Sequence, residues 1–600
     1  MQRIGNIRGR SNAPVVKPKN FKETAARLWR YFGKEKAILG LVFVLVLLGS
    51  GIGLFAPYYM GKAIDTISPG ELAVDFETLG MIILILTGIY IIDAVITFIQ
   101  GWIMAGISQR MVFRLRGSLF DKLQSLPISF FDTHTHGEIM SRLSNDIDNV
   151  STTVSQSTIQ LMSSIINIIG AFIMMLVLSP ILTLASIITI PLVYLLTKNV
   201  AKRTKILFKQ QQEVLGKLNG HIEETISGMV VVKAFNREKK VIEDFDEINE
   251  KLCSVGIKAQ IWSGYIMPIM NVINNVGFAA VAGVGGVLAV KDMITIGVIA
   301  SFLSYSRQFA RPLNEIANIF NTLQSAVAGA ERVFEIMDEM EEDEDMSGAI
   351  TMEKVHGDVE FVDVSFGYKE DIPVLKNISF NAKAGSTIAL VGPTGAGKTT
   401  IVNLLSRFYE VSKGQILIDG IDIKQYTRDS LRKCFGIVLQ DTYLFSGTIR
   451  DNIKYGNADA NDEEVVRAAE LANADSFIRR IPQGYDTKLS EGGVNISQGE
   501  KQLLAVARAI LTDPSILILD EATSSIDTRT ELKIQEAMLT LMKGRTSFII
   551  AHRLSTIRDA DVIMVIDDGE IVESGSHEEL LDKKGQYYKL YYSQFSNIAI

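Results

Sequence analysis

Residues Gly392 to Thr400 read Gly-Pro-Thr-Gly-Ala-Gly-Lys-Thr-Thr, a full match to G-x-x-x-x-G-K-[ST]. An apolar run, Thr387 to Val391, precedes them, and a helix-like stretch, Ile401 to Phe408, follows. Glycines at Gly392, Gly395 and Gly397 let the backbone curl, so that successive N–H groups point inward at phosphate oxygens. The start of the next helix adds positive potential. Pro393, Thr394, Ala396 and Thr400 complete the expected cradle. Lys398 supplies a point charge for the β and γ phosphates, and the Thr399 hydroxyl can ligate Mg²⁺. The chemistry implied is the binding of a nucleoside triphosphate.

Further residues extend that chemistry. Ser515-Ile-Leu-Ile-Leu-Asp520 is a continuous apolar run ending in a carboxylate, as expected for a central strand of a parallel sheet. Asp520 at the strand end can hold Mg²⁺ through water, and Glu521 is placed to polarise an attacking water as general base. Phe548-Ile-Ile-Ala predicts another buried strand, capped by His552. A lone His there is often structural; beside a γ-phosphate it suits a sensor. Tyr368 ends an alternating strand, Phe361 to Tyr368, where an aromatic could stack on a nucleobase.

The elements that must hold these residues occupy only the second part of the chain. At 600 residues, several domains are expected. The apolar share, 47%, and the net charge of −8 are ordinary for a soluble protein, yet the apolar residues crowd into the first half. Cys253 and Cys434 are the only cysteines, which argues against a disulfide framework or a zinc site. No cleavable signal peptide is visible, because the first apolar run lies behind a basic arm.

That arm, residues 1–35, carries Arg8, Arg10, Lys17, Lys19, Lys22, Arg27, Arg30 and Lys34 against Glu23 and Glu35. A basic tail of this kind could touch nucleic acid, but a membrane span follows directly, so a cytoplasmic arm obeying the positive-inside rule is preferred. Runs of spanning length then recur at Ala37 to Phe55, Leu79 to Ile99, Ile159 to Leu178, Ile181 to Leu196, Ile266 to Val290 and Ile294 to Leu303. The last extends in helical pattern towards Phe320. This predicts six spans in a lipid bilayer. The connections on one face are tiny or, around Asp65 to Asp75, short and acidic. Those on the other, Met104 to Thr158 and Lys198 to Trp262, are long, polar and helical in period. Each contains a break suited to a short crosswise helix, at Leu126-Pro127 to His136 and at Ser227-Gly228 to Asn236. Asp93, inside the second span, suggests a cavity or a partner. Asn271, Asn274 and Asn275 either line the same passage or bond to neighbouring helices.

Asn495-Ile-Ser-Gln-Gly-Glu-Lys-Gln502 opens a helix shortly before Asp520 and resembles the signature of ATP-binding-cassette proteins. With it come Gln440 in Val438-Leu-Gln-Asp441, the Ser524-Ser-Ile-Asp527 turn and His552. These match the family's motif set in order, from Tyr368 to His552. The first half is similar to the six-span exporter type, including Phe130-Phe-Asp132, Gly137 and Ser141-Arg142. The resemblance covers nearly the whole chain. It implies a helical type I exporter membrane domain over residues 36–324, a linker over 325–358 and an α/β P-loop ATPase domain over 359–600. It also implies ATP with Mg²⁺, Gln440 among the metal's ligands, and two ATPase domains meeting head to tail. In that arrangement each phosphate loop faces the other subunit's signature helix, and closure drives alternating access.

One departure matters. Where the family usually has Leu-Ser-Gly-Gly-Gln, this chain has Ile496, Ser497, Gln498, Gly499 and Glu500. Gln498 replaces a glycine where close backbone approach is wanted, and Glu500 adds negative charge to an anion site at a helix start. The expectation is one half of a heterodimer with unequal sites, resembling the competent half of bacterial multidrug exporters and moving amphipathic small molecules. A homodimeric lipid flippase and an ATP-gated conductance are the alternatives. An acidic run, Glu341 to Asp345, is read as plain linker.

Overall fold

The computed structural model describes residues 18–67, 74–187, 189–353, 355–369, 372–440, 442–493, 495–520, 528–550 and 557–594. The chain divides into two compact units, Met1–Ser125 with His134–Met340 and Leu126–Thr133 with Glu341–Ile600.

The first unit is helical. Its described elements are α1 (Phe21–Tyr31), α2 (Lys36–Gly53), α3 (Phe55–Ile67), α4 (Phe76–Ser125), then, after α5 of the other unit (Ile128–Thr133), α6 (His136–Ser141), α7 (Ile147–Thr152), α8 (Thr158–Leu178), α9 (Pro180–Ile187), α10 (Thr189–Ser227), α11 (Met229–Ala234), α12 (Glu238–Gly264), α13 (Ile266–Val290) and α14 (Ile296–Met337). At about 1.5 Å per residue, α4 is roughly 75 Å long, more than twice the ~30 Å apolar core of a bilayer. It therefore spans the membrane and continues beyond it. Four helical stretches are long and apolar enough to cross: Lys36–Ile67, Phe76–Ser125, His136–Leu178 and Glu238–Val290. The fourth predicted span falls on α9 and the start of α10, on either side of residue 188. The sixth is the first half of α14, where Arg307, Gln308 and Arg311 lower the mean hydropathy. The crosswise helices predicted near Pro127 and Gly228 are α5 and α11.

Helix α14 organises this unit, packing along α3 and α8. Its start is pinned by Asp65, whose carboxylate accepts from the Gly297 N–H at 2.7 Å and from the Thr295 hydroxyl at 2.8 Å. Gly61 and Gly297 let the two backbones touch, since a Cβ on Gly61 would lie 2.4 Å from the Gly297 carbonyl oxygen. At its other end, Arg332 pairs with buried Asp146, and the Glu331 carboxylate caps the start of α1 by accepting from the N–H groups of Lys19 and Asn20 at 2.9 Å. Arg27 pairs with Asp338 and stacks 4.3 Å over the Phe334 ring. Asp93 is half-buried beside Gly49 of α2 and Gln100. The three asparagines of α13 are exposed.

The second unit is built on a six-stranded sheet of order β12-β11-β3-β10-β9-β6. Its strands are β3 (Thr387–Val391), β6 (Phe435–Val438), β9 (Ile516–Asp520), β10 (Thr546–Ile550), β11 (Val562–Asp567) and β12 (Glu570–Gly575). All pairings are parallel except that of β12 with β11. Both faces are covered, which explains the unbroken apolar runs. Alternate residues Ile388, Leu390, Ile516, Ile518, Phe548 and Ile550 enter one core, while Ala389, Val391, Leu517, Leu519 and Ile549 enter the other. The first core is shared with a four-stranded sheet, order β2-β1-β4-β5, of β1 (Val359–Phe366), β2 (Leu375–Ala382), β4 (Lys413–Ile418) and β5 (Ile421–Asp422).

The acidic run is more than linker. Asp345 accepts from the Arg428 N–H at 3.1 Å and lies 3.8 Å from Arg407. Glu342 pairs with Arg428 and Arg432, and Glu410 bridges Arg407 and Arg428 at 2.8 and 3.0 Å. Arg407 is buried, so these carboxylates satisfy a charge that would otherwise be costly to enclose. Helix α5 also belongs to this unit: the Tyr409 hydroxyl donates to the Asp132 carboxylate. Burial and that carboxylate push the Tyr409 hydroxyl pKa well up.

Candidate nucleotide site

The loop after β3 has the geometry that its glycines suggest. Gly392, Gly395 and Gly397 have φ of +154°, +86° and +107°. A Cβ on Gly392 would meet the Ile566 carbonyl oxygen at 2.1 Å, and one on Gly397 would meet the Leu375 side chain at 2.5 Å. At Gly395 it would meet nothing, so that side of the loop is open. Pro393 and Thr394 are exposed and Ala396 is buried beneath them. The helix that follows, α15 (Lys398–Leu405), aims its first N–H groups into the loop.

Lys398 is buried, and its ammonium group donates to the carbonyls of Gly392 and Pro393, both at 2.8 Å. Burial lowers its pKa, while the charge of Asp520 acts the other way. An ammonium held across the mouth of a loop by neutral carbonyls is set to exchange them for phosphate oxygens. Thr399 is exposed; Thr400 is buried and lies 3.2 Å from the Tyr368 hydroxyl.

Parallel pairing places the carboxyl ends of β3, β6, β9 and β10 along one edge, and ligands of open α/β sheets bind at that edge. The phosphate loop, Gln440 two residues past β6, and Asp520 at the end of β9 therefore share it. Gln440 is exposed and Asp520 half-buried. Glu521 and His552 lie outside the described residues; the strands that lead into them, β9 and β10, are neighbours in register Asp520 to Ile550. Tyr368 is 49% exposed and meets Phe366 and Tyr409 edge to face, with ring centres 5.1 and 5.0 Å away. Tyr409 gave no sequence signal, because only the fold brings it from beyond α15 to Tyr368.

The altered signature begins the helix Gln498–Thr512. Ser497 is its N-cap, with Gln498 exposed and Gly499 buried. The Ser497 hydroxyl accepts from the Glu500 N–H at 3.3 Å, and the Glu500 carboxylate accepts from the Ser497 N–H and hydroxyl at 2.9 and 2.8 Å. This is a closed capping box. The Ser497 N–H and hydroxyl, which could meet an incoming anion at this helix start, are thus paired by a carboxylate of the same chain.

Comparison with known proteins agrees with this architecture. Residues 39–313 match the family model of the ABC transporter transmembrane region, and residues 375–524 match the ABC transporter family model. An uncharacterized ABC transporter ATP-binding protein of Bacillus subtilis, YfiC, is 52% identical over 97% of this chain and 96% of its own length. A fatty acid ABC transporter ATP-binding/permease protein of Mycobacterium tuberculosis is 41% identical over 97% of this chain and 98% of its own. Among solved structures, a bacterial Atm1-family ABC exporter with ATP bound superposes with a TM-score of 0.74 at 30% identity, covering 94% of this chain and 98% of that one. The protein is a membrane-embedded, ATP-hydrolysing transporter with its ATPase domain in the cytoplasm. A helical transmembrane half and a P-loop ATPase half on one polypeptide, each matched by its own family model, place the chain in the ABC transporter family as a half-transporter of exporter type.

Proposed function

We propose that this chain is the hydrolysis-competent half of a heterodimeric exporter of amphipathic small molecules. The observation that carries the reading is the contrast between its two nucleotide-facing parts. The phosphate loop is complete and open at Gly395, whereas the signature helix start holds a carboxylate, Glu500 bonded to Ser497, in its first turn. A partner with a standard signature would complete the site built on this chain's loop. This chain's altered signature, with its added negative charge, would complete a weaker site on the partner's loop.

In the competent site, Tyr368 stacks on the adenine, and the loop N–H groups with Lys398 hold the phosphates. Thr399, Gln440 and Asp520 are hydroxyl, amide and carboxylate oxygen donors suited to a small hard cation, and they would hold Mg²⁺, which when bound neutralises phosphate charge. Glu521 orients and polarises the attacking water, and His552 senses the γ-phosphate. Oxygen donors and charge are supplied in one place, so hydrolysis needs only that water be positioned. The name of the Mycobacterium tuberculosis relative, a fatty acid transporter, supports an amphiphile as cargo.

The test is ATP hydrolysis by the purified chain alone and then with a co-expressed second half-transporter. Activity only in the pair, lost on Glu521→Gln, is expected. Full activity of the chain alone as a stable dimer would overturn the heterodimer.

A further inference from the structure

We propose that Arg307 is the anion-binding position of the transport cavity and that the cargo is an anionic single-chain amphiphile. This rests on the exporter reading above and names its substrate class. Counted from Ile296 at about 1.5 Å per residue, Arg307 lies roughly 16 Å into α14, near the middle of a ~30 Å apolar core. Phe278, counted back from Val290 at the far end of α13, lies at a matching depth of roughly 18 Å. The two meet: the Arg307 guanidinium sits 5.5 Å from the Phe278 ring centre.

Ser301, Phe302, Tyr305 and Ile319 bury one side of α14, and Arg307 and Arg311 project from the other. Arg311 is neutralised by Glu315 at 3.2 Å, which in turn accepts from Gln160 at 3.1 Å. Arg307 pairs with no carboxylate among the described residues. An arginine facing lipid at this depth costs at least about 2.5–3.5 kcal/mol, so this face fronts water or protein rather than acyl chains.

What covers it is indicated by α13. Asn271, Asn274 and Asn275 share one side of that helix with Phe278 and are exposed. Amide donors, an unneutralised guanidinium and an aromatic face together suit an anionic headgroup joined to an alkyl chain. A cationic amphiphile would meet Arg307 as a like charge. The specificity of the cavity is therefore set by charge, and Arg307 sets it.

The experiment uses the complete transporter in phosphatidylcholine nanodiscs, with its partner subunit where one is required. ATPase stimulation is titrated with oleate, oleyl alcohol and oleylamine, which share one tail. The wild type responds to oleate at the lowest concentration. Arg307→Gln raises that concentration about tenfold or more, the loss of a charge-assisted contact. Arg307→Lys restores most of the response, and Arg307→Glu turns the preference towards oleylamine. A wild type that prefers the alcohol or the amine overturns the inference while leaving the exporter reading intact. So does an Arg307→Gln variant with an unchanged oleate response. Dissociation of the Arg307→Gln dimer also overturns it, by placing the arginine in the subunit contact. A wild type that hydrolyses ATP but is stimulated by none of the three amphiphiles removes the amphiphile reading itself.

Discussion

Replacing Glu500 by Gln separates charge from shape at the signature helix. Gln can still close the capping box, because its amide oxygen accepts where the carboxylate now accepts from Ser497 at 2.8 and 2.9 Å. What disappears is a full negative charge in the first helical turn. Two like unit charges about 7 Å apart repel by roughly 2.4 kcal/mol at an effective dielectric of about 20. Glu500 is only partly buried, and ions at 0.15 M screen over about 8 Å, so about 1 kcal/mol survives. Nucleotide at the site this helix completes should therefore bind about fivefold tighter. The assay is titration of a fluorescent ATP analogue against the assembled dimer in a Glu521→Gln background, which keeps hydrolysis slow. The gain should shrink as salt is raised, since its origin is Coulombic. Weaker or unchanged binding in Glu500→Gln, or a gain indifferent to salt, would refute the reasoning.

Three further outcomes follow from the geometry. Gly392→Ala forces a Cβ to within 2.1 Å of the Ile566 carbonyl, and strain of about 1–3 kcal/mol should cost about tenfold or more in ATP affinity, read by the same titration. Tyr409→Phe removes the bond to Asp132, so residues 126–133 should exchange amide hydrogens about fivefold faster, the loss of about 1 kcal/mol. The hydrogen bonds and charge of Arg27 hold the Asp338 carboxyl below its ordinary value of 3.8. A lowered folded-state value means that this contact stabilises above the ordinary value and is lost as pH falls through the lowered one. Helix α1 should stay docked from pH 5 to 8 and become accessible to pepsin only as pH falls below 3.8 and through the lowered value, and Arg27→Gln should remove that pH dependence.

The phosphate loop, the strand ending at Asp520 and the two halves of the chain were legible in the residues. Each rests on a local pattern: glycines within nine positions, an apolar run, or an excess of apolar side chains over spanning length. The acidic run at Glu341 to Asp345 was not legible, because its meaning depends on Arg407, Arg428 and Arg432, which lie over sixty residues away. A carboxylate run looks the same whether solvated or paired. The surroundings of Asp93 were out of reach for a related reason. Its depth in the span could be counted, but its neighbours on α2 could not.

Backbone geometry that a short segment imposes on itself, such as the left-handed φ at Gly395 and Gly397, is written in the residues that occupy it. So is membrane insertion, since transfer from water depends on the composition of one continuous stretch. Contacts between distant segments are decided by packing. Only the folded chain sets Tyr409 between Tyr368 and Asp132 and leaves Arg307 opposite the buried face of α14. A side chain's charge belongs to its sequence; whether that charge is neutralised depends on what the fold brings within a few ångströms of it.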